Sequence, residues 1–365
     1  MNMKKRDPIT KWVFSSVLAL CLVCAAVFGG LYVKSLLSKQ NVGKVAGTIH
    51  PAVLYDGAGK GDYAFNDSAY EDGVKKFEYN YRTKVTEVEP GTRNLTEVVR
   101  EQARANHSPI IGLGFSYSNA IATVSKEYPN LQFVIIDSVV KGPNVQSIIF
   151  KEQEGSYLVG ALAALASKTH SVGFVGGMDI PLIHKFGCGF AQGAKAVDPN
   201  IRLTSTTLGT TTEAFANPKK AQKIATQMFT NGVDIIFAAA GGSGEGVYQA
   251  AFETGNRAIA VDASQNWRFT GETIISSMLK EVGFAAYQSM EEAINGKWTA
   301  GTKVLGLKEG GVSWSLDMFN RNKSVKSEWI DKIDELKEEV IDGDVKVYDY
   351  SNDQTCPVDT GMFAS

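Results

Sequence analysis

Histidine and cysteine are scarce in this chain, with 4 of each among 365 residues. His50, His107, His170 and His184 stand far apart, and none lies at metal-ligand spacing from another histidine or a cysteine, which argues against a zinc site. Cys21 and Cys24 fall in an apolar N-terminal run. That leaves Cys188 and Cys356, which either pair in an oxidising compartment or remain a helix thiol and a stray one in the tail. Excess charge is lacking too. Lys+Arg number 37 and Asp+Glu 39, for a formal net charge of -2. A nucleic-acid partner would call for a strongly basic surface, so none is expected. No G-x-x-x-x-G-K-[ST] sequence occurs, so ATP hydrolysis is not assigned to this chain. Neither a Ser-His-Asp arrangement nor an Asp-rich metal-binding run marks a hydrolase.

What is present is an ordinary globular balance, 44% hydrophobic and 21% charged, preceded by one exceptional segment. Lys4, Lys5 and Arg6 precede Trp12–Val33, an uncharged apolar run close to the ~20 residues a membrane-spanning helix needs. The run reads equally as an uncleaved anchor or as a cleaved export signal. Lipid attachment fits less well, because Leu20 and Val23 precede the cysteines where a small residue is wanted. Each reading puts the remainder outside the cytoplasm, on the membrane or in the periplasm. The basic residues ahead of the run agree with a cytoplasmic N-terminus.

From Val45 the chain alternates apolar runs with helical spacing. Strands are expected at Ala52–Asp56, Val85–Glu89, Pro109–Phe115 and Phe133–Asp137, with helices between them. A second series has strands at Val145–Phe150, Val172–Gly177, Arg202–Leu208, Val233–Ala240 and Ala258–Asp262. Thr273–Leu279 adds another, and Ser327–Val340 reads as an amphipathic helix with Trp329, Ile330, Ile333 and Leu336 on its apolar stripe. Runs of Val and Ile separated by helices indicate parallel sheets covered on both faces. The fold class is therefore α/β, with two Rossmann-like doubly wound lobes of similar length. Ligands of such sheets bind beyond the carboxyl ends of the strands, and two lobes with facing strand ends make a cleft.

Those strand-end loops are unusual. "GDYAFNDSAYEDG" sets Phe65 beside Asn66 in a polar loop, where an apolar ring either staples the following helix or waits for a ligand. "GTTTEAF" ends on a second loop aromatic, Phe215. Asp137 either caps a turn or accepts hydrogen bonds from a ligand's N–H groups. Asp262 and Lys280 either form a structural ion pair at a hinge or bind a vicinal diol. In "AAAGGSGEG" the glycines resemble a dinucleotide loop, but the G-x-G-x-x-G order is absent and no cofactor is expected. Ser116 and Tyr117 are further candidates for the cleft wall.

The stretches "DYAFND", "GFVGGMDIPLIHKFGCGFAQGAK", "EAFANPKKAQKIATQMFTNGVDIIFAAAGGSGEGVYQAA", "AIAVDASQNW" and "IISSMLKEVGFAAY" together resemble the basic membrane protein family. Its members are substrate-binding lipoproteins, the purine nucleoside receptors of ABC importers. The resemblance runs from Val45 to about Val347. It implies a type I periplasmic binding protein fold with a three-strand hinge. The implied domains are a signal or anchor over residues 1–40, an N-terminal lobe of 44–150 plus 266–306, a C-terminal lobe of 151–265 plus 307–350, and a polar tail of 351–365.

The resemblance also implies a site. A purine base would lie between Phe65, in an Asp-x-x-Phe-Asn pattern that begins at Asp62, and Phe215 of "FANP". Asn217 stands where the family usually has Asp, and it caps a helix as well. Asn66 and Asp137 would read the base, and Asp262, Lys280 and the backbone of Gly242 would hold the ribose. The implied partners are adenosine, inosine or guanosine, an ABC permease with its ATPase subunits, and the membrane through the N-terminal segment. Set against this binding role are a nucleoside or sugar sensor that feeds no transporter, a sugar-binding protein of the same fold, and an enzyme.

Overall fold

A computed structural model of the chain describes residues 48–269 and 272–361. The apolar run Trp12–Val33 lies outside them. Among the described residues no helix is long and apolar enough to cross a membrane.

Two six-stranded sheets carry the fold. The first holds β1 (Ala52–Leu54), β2 (Thr86–Val88), β3 (Ile110–Gly112), β4 (Phe133–Ile136), β5 (Val145–Phe150) and β11 (Gly301–Leu305), in the order β2-β1-β3-β4-β5-β11. The second holds β6 (Ser171–Met178), β7 (Arg202–Gly209), β8 (Ile235–Ala239), β9 (Arg257–Asp262), β10 (Ile274–Lys280) and β12 (Val312–Trp314), in the order β7-β6-β8-β9-β10-β12. All pairs are parallel except β10 with β12. The two sheets thus repeat one strand order without a detectable sequence repeat.

Burial explains which strands the sequence announces. Every residue of β1, β3, β4 and β8 is buried, and these are continuous apolar runs. Each sheet has its own core, with Leu54, Ile110, Ile121 and Phe133 in the first and Val175, Ile236, Val247 and Ala260 in the second. β11 is the exception. It is an edge strand, exposed at most positions, and its Gly-Thr-Lys-Val-Leu sequence has no apolar run to mark it.

The chain passes between the sheets three times, at Phe150–Glu152, Lys280–Val282 and Leu305–Val312. The segment 266–306, expected whole in the N-terminal lobe, is divided. β10 stays in the second sheet, paired along β9, because Ile274, Ile275 and Met278 complete that core. The return comes only after Lys280, where helix Val282–Ile294 packs on the 69–75 segment of the first lobe and β11 joins β5.

Cys188 and Cys356 form a disulfide, which closes the alternative left open by the sequence. The tail beyond it lies along the edge strand β7, where Ser205 N–H donates to the Gly361 carbonyl at 3.0 Å.

Candidate functional site

Both sheets have the 2-1-3-4-5 order whose ligand position is the crevice at the strand carboxyl ends, between the first and third strands of the order. A cavity lies there. The loop after β1 contributes Asp56, Asp62 and Phe65, and the loop after β3 contributes Gly114 and Phe115. From the second lobe come Leu182, Ile183 and Phe186, then Phe215, Gly241, Asp262 and Lys280. The cavity encloses about 590 Å³ of empty space, some of it open to solvent.

Asp62 builds the first loop. Its Oδ1 accepts from the Ala64 and Asp67 N–H groups at 2.9 and 3.1 Å, and its Oδ2 accepts from Asn66 N–H at 2.9 Å. This starts helix Phe65–Ser68 and leaves the Phe65 ring half-buried at the cavity wall. Asn66 does not reach the cavity. It is fully buried, and its Nδ2 donates to Asp56 Oδ1 at 2.8 Å and Asp62 Oδ2 at 3.1 Å. Its Oδ1 accepts from the Asp56 N–H at 3.2 Å. The amide expected at the base edge is spent holding two strand-end carboxylates together. Asp56 takes a place on the wall that the sequence reading missed. The signal was available: Asp56, Asp137 and Asp262 each follow the apolar run of a parallel strand.

Phe215 is positioned from behind. Ser243 Oγ accepts from Asn217 N–H at 2.6 Å and donates to the Ala214 carbonyl at 2.7 Å, so the loop before β8's helix grips both sides of the phenylalanine. Asn217 Oδ1 caps its helix by accepting from Lys220 N–H at 3.1 Å. Gly177 lies against the ring, and a Cβ there would collide with it. Gly242 is not on the wall. It backs onto the Phe215 carbonyl, and a Cβ there would be 4.0 Å from Asp62 Cβ of the other lobe. Gly241, at φ +53, lines the cavity instead. Tyr117 is also absent from the wall. It is buried in the first core and donates to the Tyr55 carbonyl at 2.7 Å.

The floor is charged. Asp137 and Asp262 close β4 and β9 at corresponding places in the two sheets, and both have φ +68, a left-handed backbone that few residues other than Gly, Asn and Asp adopt. Lys280 Nζ lies 2.7 Å from Asp137 Oδ2 and 3.1 Å from Glu152 Oε1. Among the described residues it makes no ion pair with Asp262, so of the two alternatives for these residues the structural hinge pair is not formed. The ammonium is also 5.4 Å from the Phe65 ring centre and 5.7 Å from that of Phe186. Asp137 Oδ1 is buried and lacks a hydrogen-bond partner among the described residues. Leaving such an acceptor unmet costs about 1–3 kcal/mol, so a ligand donor there would be well rewarded.

Burial raises the Asp137 carboxyl despite the opposing pull of Lys280. Burial pushes Asp262 up to about 7; Lys280 pulls it back, while Asp62, Asp137 and Glu152 push it further up. Asp56 and Asp62 are raised by burial too. The cavity therefore offers three half-buried rings, Phe65, Phe115 and Phe215, with acidic acceptors and the Lys280 cation. That equipment suits a flat, uncharged solute rich in N–H and O–H donors. Among the described residues no cluster of His, Cys, Asp and Glu has a metal-holding arrangement.

Comparison with known proteins bears on the family and the fold. The family described as "ABC transporter substrate-binding protein PnrA-like" matches residues 49–351. A CD4+ T-cell-stimulating antigen of Listeria monocytogenes is 34% identical, over 94% of this chain and 99% of its own length. An ABC transporter nucleoside-binding protein of Lactococcus lactis is 31% identical, over 91% of this chain and 97% of its own. Among solved structures, an ABC transporter solute-binding protein of Aeropyrum pernix superposes with a TM-score of 0.75 at 27% identity, covering 84% of this chain and 95% of its own.

Proposed function

Because the chain belongs to the family of PnrA-like substrate-binding proteins of ABC transporters, which bind and hand over solutes without chemical conversion, we propose that its own solute is a purine nucleoside. The base stacks between Phe65 and Phe215. Asp137 accepts from the base N–H groups, and Asp262 with Lys280 takes the ribose hydroxyls. The loaded protein then docks on an ABC permease, whose ATPase subunits drive uptake. Trp12–Val33 keeps it at the outer face of the membrane.

One observation carries this reading more than any other. Phe65 and Phe215 come from strand-end loops of different lobes, yet both stand half-buried on the wall of one cavity. Base–aromatic stacking contributes about 1–3 kcal/mol per base and tolerates different purines. The nucleoside-binding name of the Lactococcus lactis relative supports the same ligand class. The acidic floor supports a nucleoside over a nucleotide, since a phosphate would meet Asp56, Asp62, Asp137 and Asp262 with one lysine on the wall.

Calorimetric titration of the full chain in detergent tests this reading, with adenosine, inosine, guanosine, adenine and ribose as ligands. Nucleosides should bind more tightly than adenine or ribose. Tighter binding of ribose or another sugar would replace the nucleoside with a sugar, and silence from all five would reject the reading.

A further inference from the structure

Glu152 lies outside the cavity and is the most deeply buried charge in the molecule's hinge. It opens helix Glu152–Ala166 directly after the first crossing, with its side chain 1% exposed. Its two oxygens serve different lysines. Oε2 lies 2.7 Å from Lys185 Nζ, on helix Pro181–Val197 of the second lobe. Oε1 lies 3.1 Å from Lys280 Nζ, the last residue before the second crossing. Lys185 also donates to the carbonyl of Phe150, at the end of β5, at 2.7 Å. The two helices come this close because glycines face backbone there: a Cβ at Gly189 or Gly193 would run into the backbone of Gln153 or Tyr157. The third crossing is tied to the same helical turn, since Leu307 N–H donates to Glu154 Oε2 at 2.8 Å. One turn of helix thus holds all three crossings, and through Lys280 it touches the cavity wall.

A buried chain of charges of this kind is a poor device for stability, since apolar replacements of buried ion pairs are often neutral or stabilising. It is a good device for fixing one arrangement. Lys280 has three N–H donors, of which Asp137 takes one at 2.7 Å, while Glu152, 3.1 Å away, holds the ammonium by charge. Without Glu152 the ammonium would have Asp137 and Asp262 to choose between.

We propose that Glu152 is the positioning residue of the binding site: it pins the Lys280 ammonium against the cavity wall and makes the hinge crossings respond to what the cavity holds. The proposal rests on the cavity being the ligand site, as argued above. The charge states fit it. Burial opposes ionisation of Glu152, but Lys280 and Lys185 outweigh it and hold the carboxyl below its ordinary range. Burial likewise works against the Lys280 charge, but Asp137, Glu152 and Asp262 together raise it above an ordinary lysine.

The test uses the full chain in detergent, its lysines labelled at 13Cε, in the forms wild type, Glu152→Gln, Glu154→Gln, Lys185→Met and Glu152→Gln/Lys185→Met. Loss of one signal in Lys280→Arg identifies the Lys280 resonance. The double variant removes the lysine that Glu152→Gln would strand in the interior, so it keeps the test open if the single variant does not fold. Two results are expected. The Lys280 resonance titrates at lower pH in both variants that lack Glu152, and keeps its wild-type titration in Glu154→Gln, which removes the contacts to Leu307 and Lys151 but leaves Glu152 in place. Inosine affinity falls at least tenfold without Glu152, and the double variant regains melting temperature without regaining affinity. Unmoved Lys280 titration would overturn the proposal. So would recovery of affinity together with stability in the double variant, because Glu152 would then serve only to neutralise Lys185. If the wild type binds no nucleoside, the ligand assignment falls, and the ligand-free titration of Lys280 alone decides the role of Glu152.

Discussion

The carboxyl of Asp262, pushed up to about 7 by burial, changes charge within the range in which a binding assay is run. In the unfolded chain the same group ionises near its ordinary 3.8. The folded protein therefore binds the extra proton between those values. The stability this contributes is present in acid and is lost as the pH rises through about 7. Ligand binding runs the other way. If Asp262 accepts from ribose hydroxyls, the ionised form is the one that binds. Nucleoside affinity should then rise from pH 6 to pH 8, with proton release on binding at the lower pH. Calorimetry in buffers of different ionisation enthalpy measures that release, and Asp262→Asn should abolish both effects. At the two rings, Phe65→Ala and Phe215→Ala should each weaken binding by about 1–3 kcal/mol. Unchanged affinity in both variants would remove stacking from the account. Residue chemistry was only partly legible in the sequence, because one side chain can serve several ends. The ring of Phe65 could staple a helix or face a cleft, and the structure sets it on the cavity wall. The amide of Asn66 serves a loop as readily as a ligand, and only the positions of Asp56 and Asp62 show which it serves here.

Strands at the centre of each sheet were readable because complete burial demands an unbroken apolar run. Edge elements carry no such demand, which is why β11 and the antiparallel β12 escaped notice. The lobe boundary was misjudged for a related reason. Burial makes β10 apolar whichever sheet it joins, so its sequence does not say that its partner is β9. At the open edge of the second sheet, β7 is covered by the tail that Cys188–Cys356 fastens, across 168 residues of sequence. Replacing both cysteines by Ala should lower unfolding free energy by about 2–4 kcal/mol in denaturant melts. Nucleoside affinity should stay as it was, since neither cysteine is on the cavity wall. A dithiothreitol-treated wild type should melt with the variant; if it melts with the untreated protein, the bond does not stabilise the fold.

For the whole molecule, three crossings and a cavity walled by both lobes make ligand binding and lobe closure one event. The radius of gyration from small-angle scattering should fall when a nucleoside is added. Ribose alone, which cannot bridge Phe65 and Phe215, should leave it unchanged. A nucleoside that binds without compaction would mean that the lobes act as a rigid cup.

The late arrival of β11 has a consequence for how the protein is made. Synthesis runs from the N-terminus, and β5 is complete at Phe150, yet its outer neighbour is Gly301–Leu305. Until that strand emerges, the first sheet must wait with an unfinished flank while nearly the whole second lobe is being threaded out behind it. Such an unpaired flank is where a nascent chain recruits a neighbour. The period of greatest danger to this protein therefore comes after most of it has already been built.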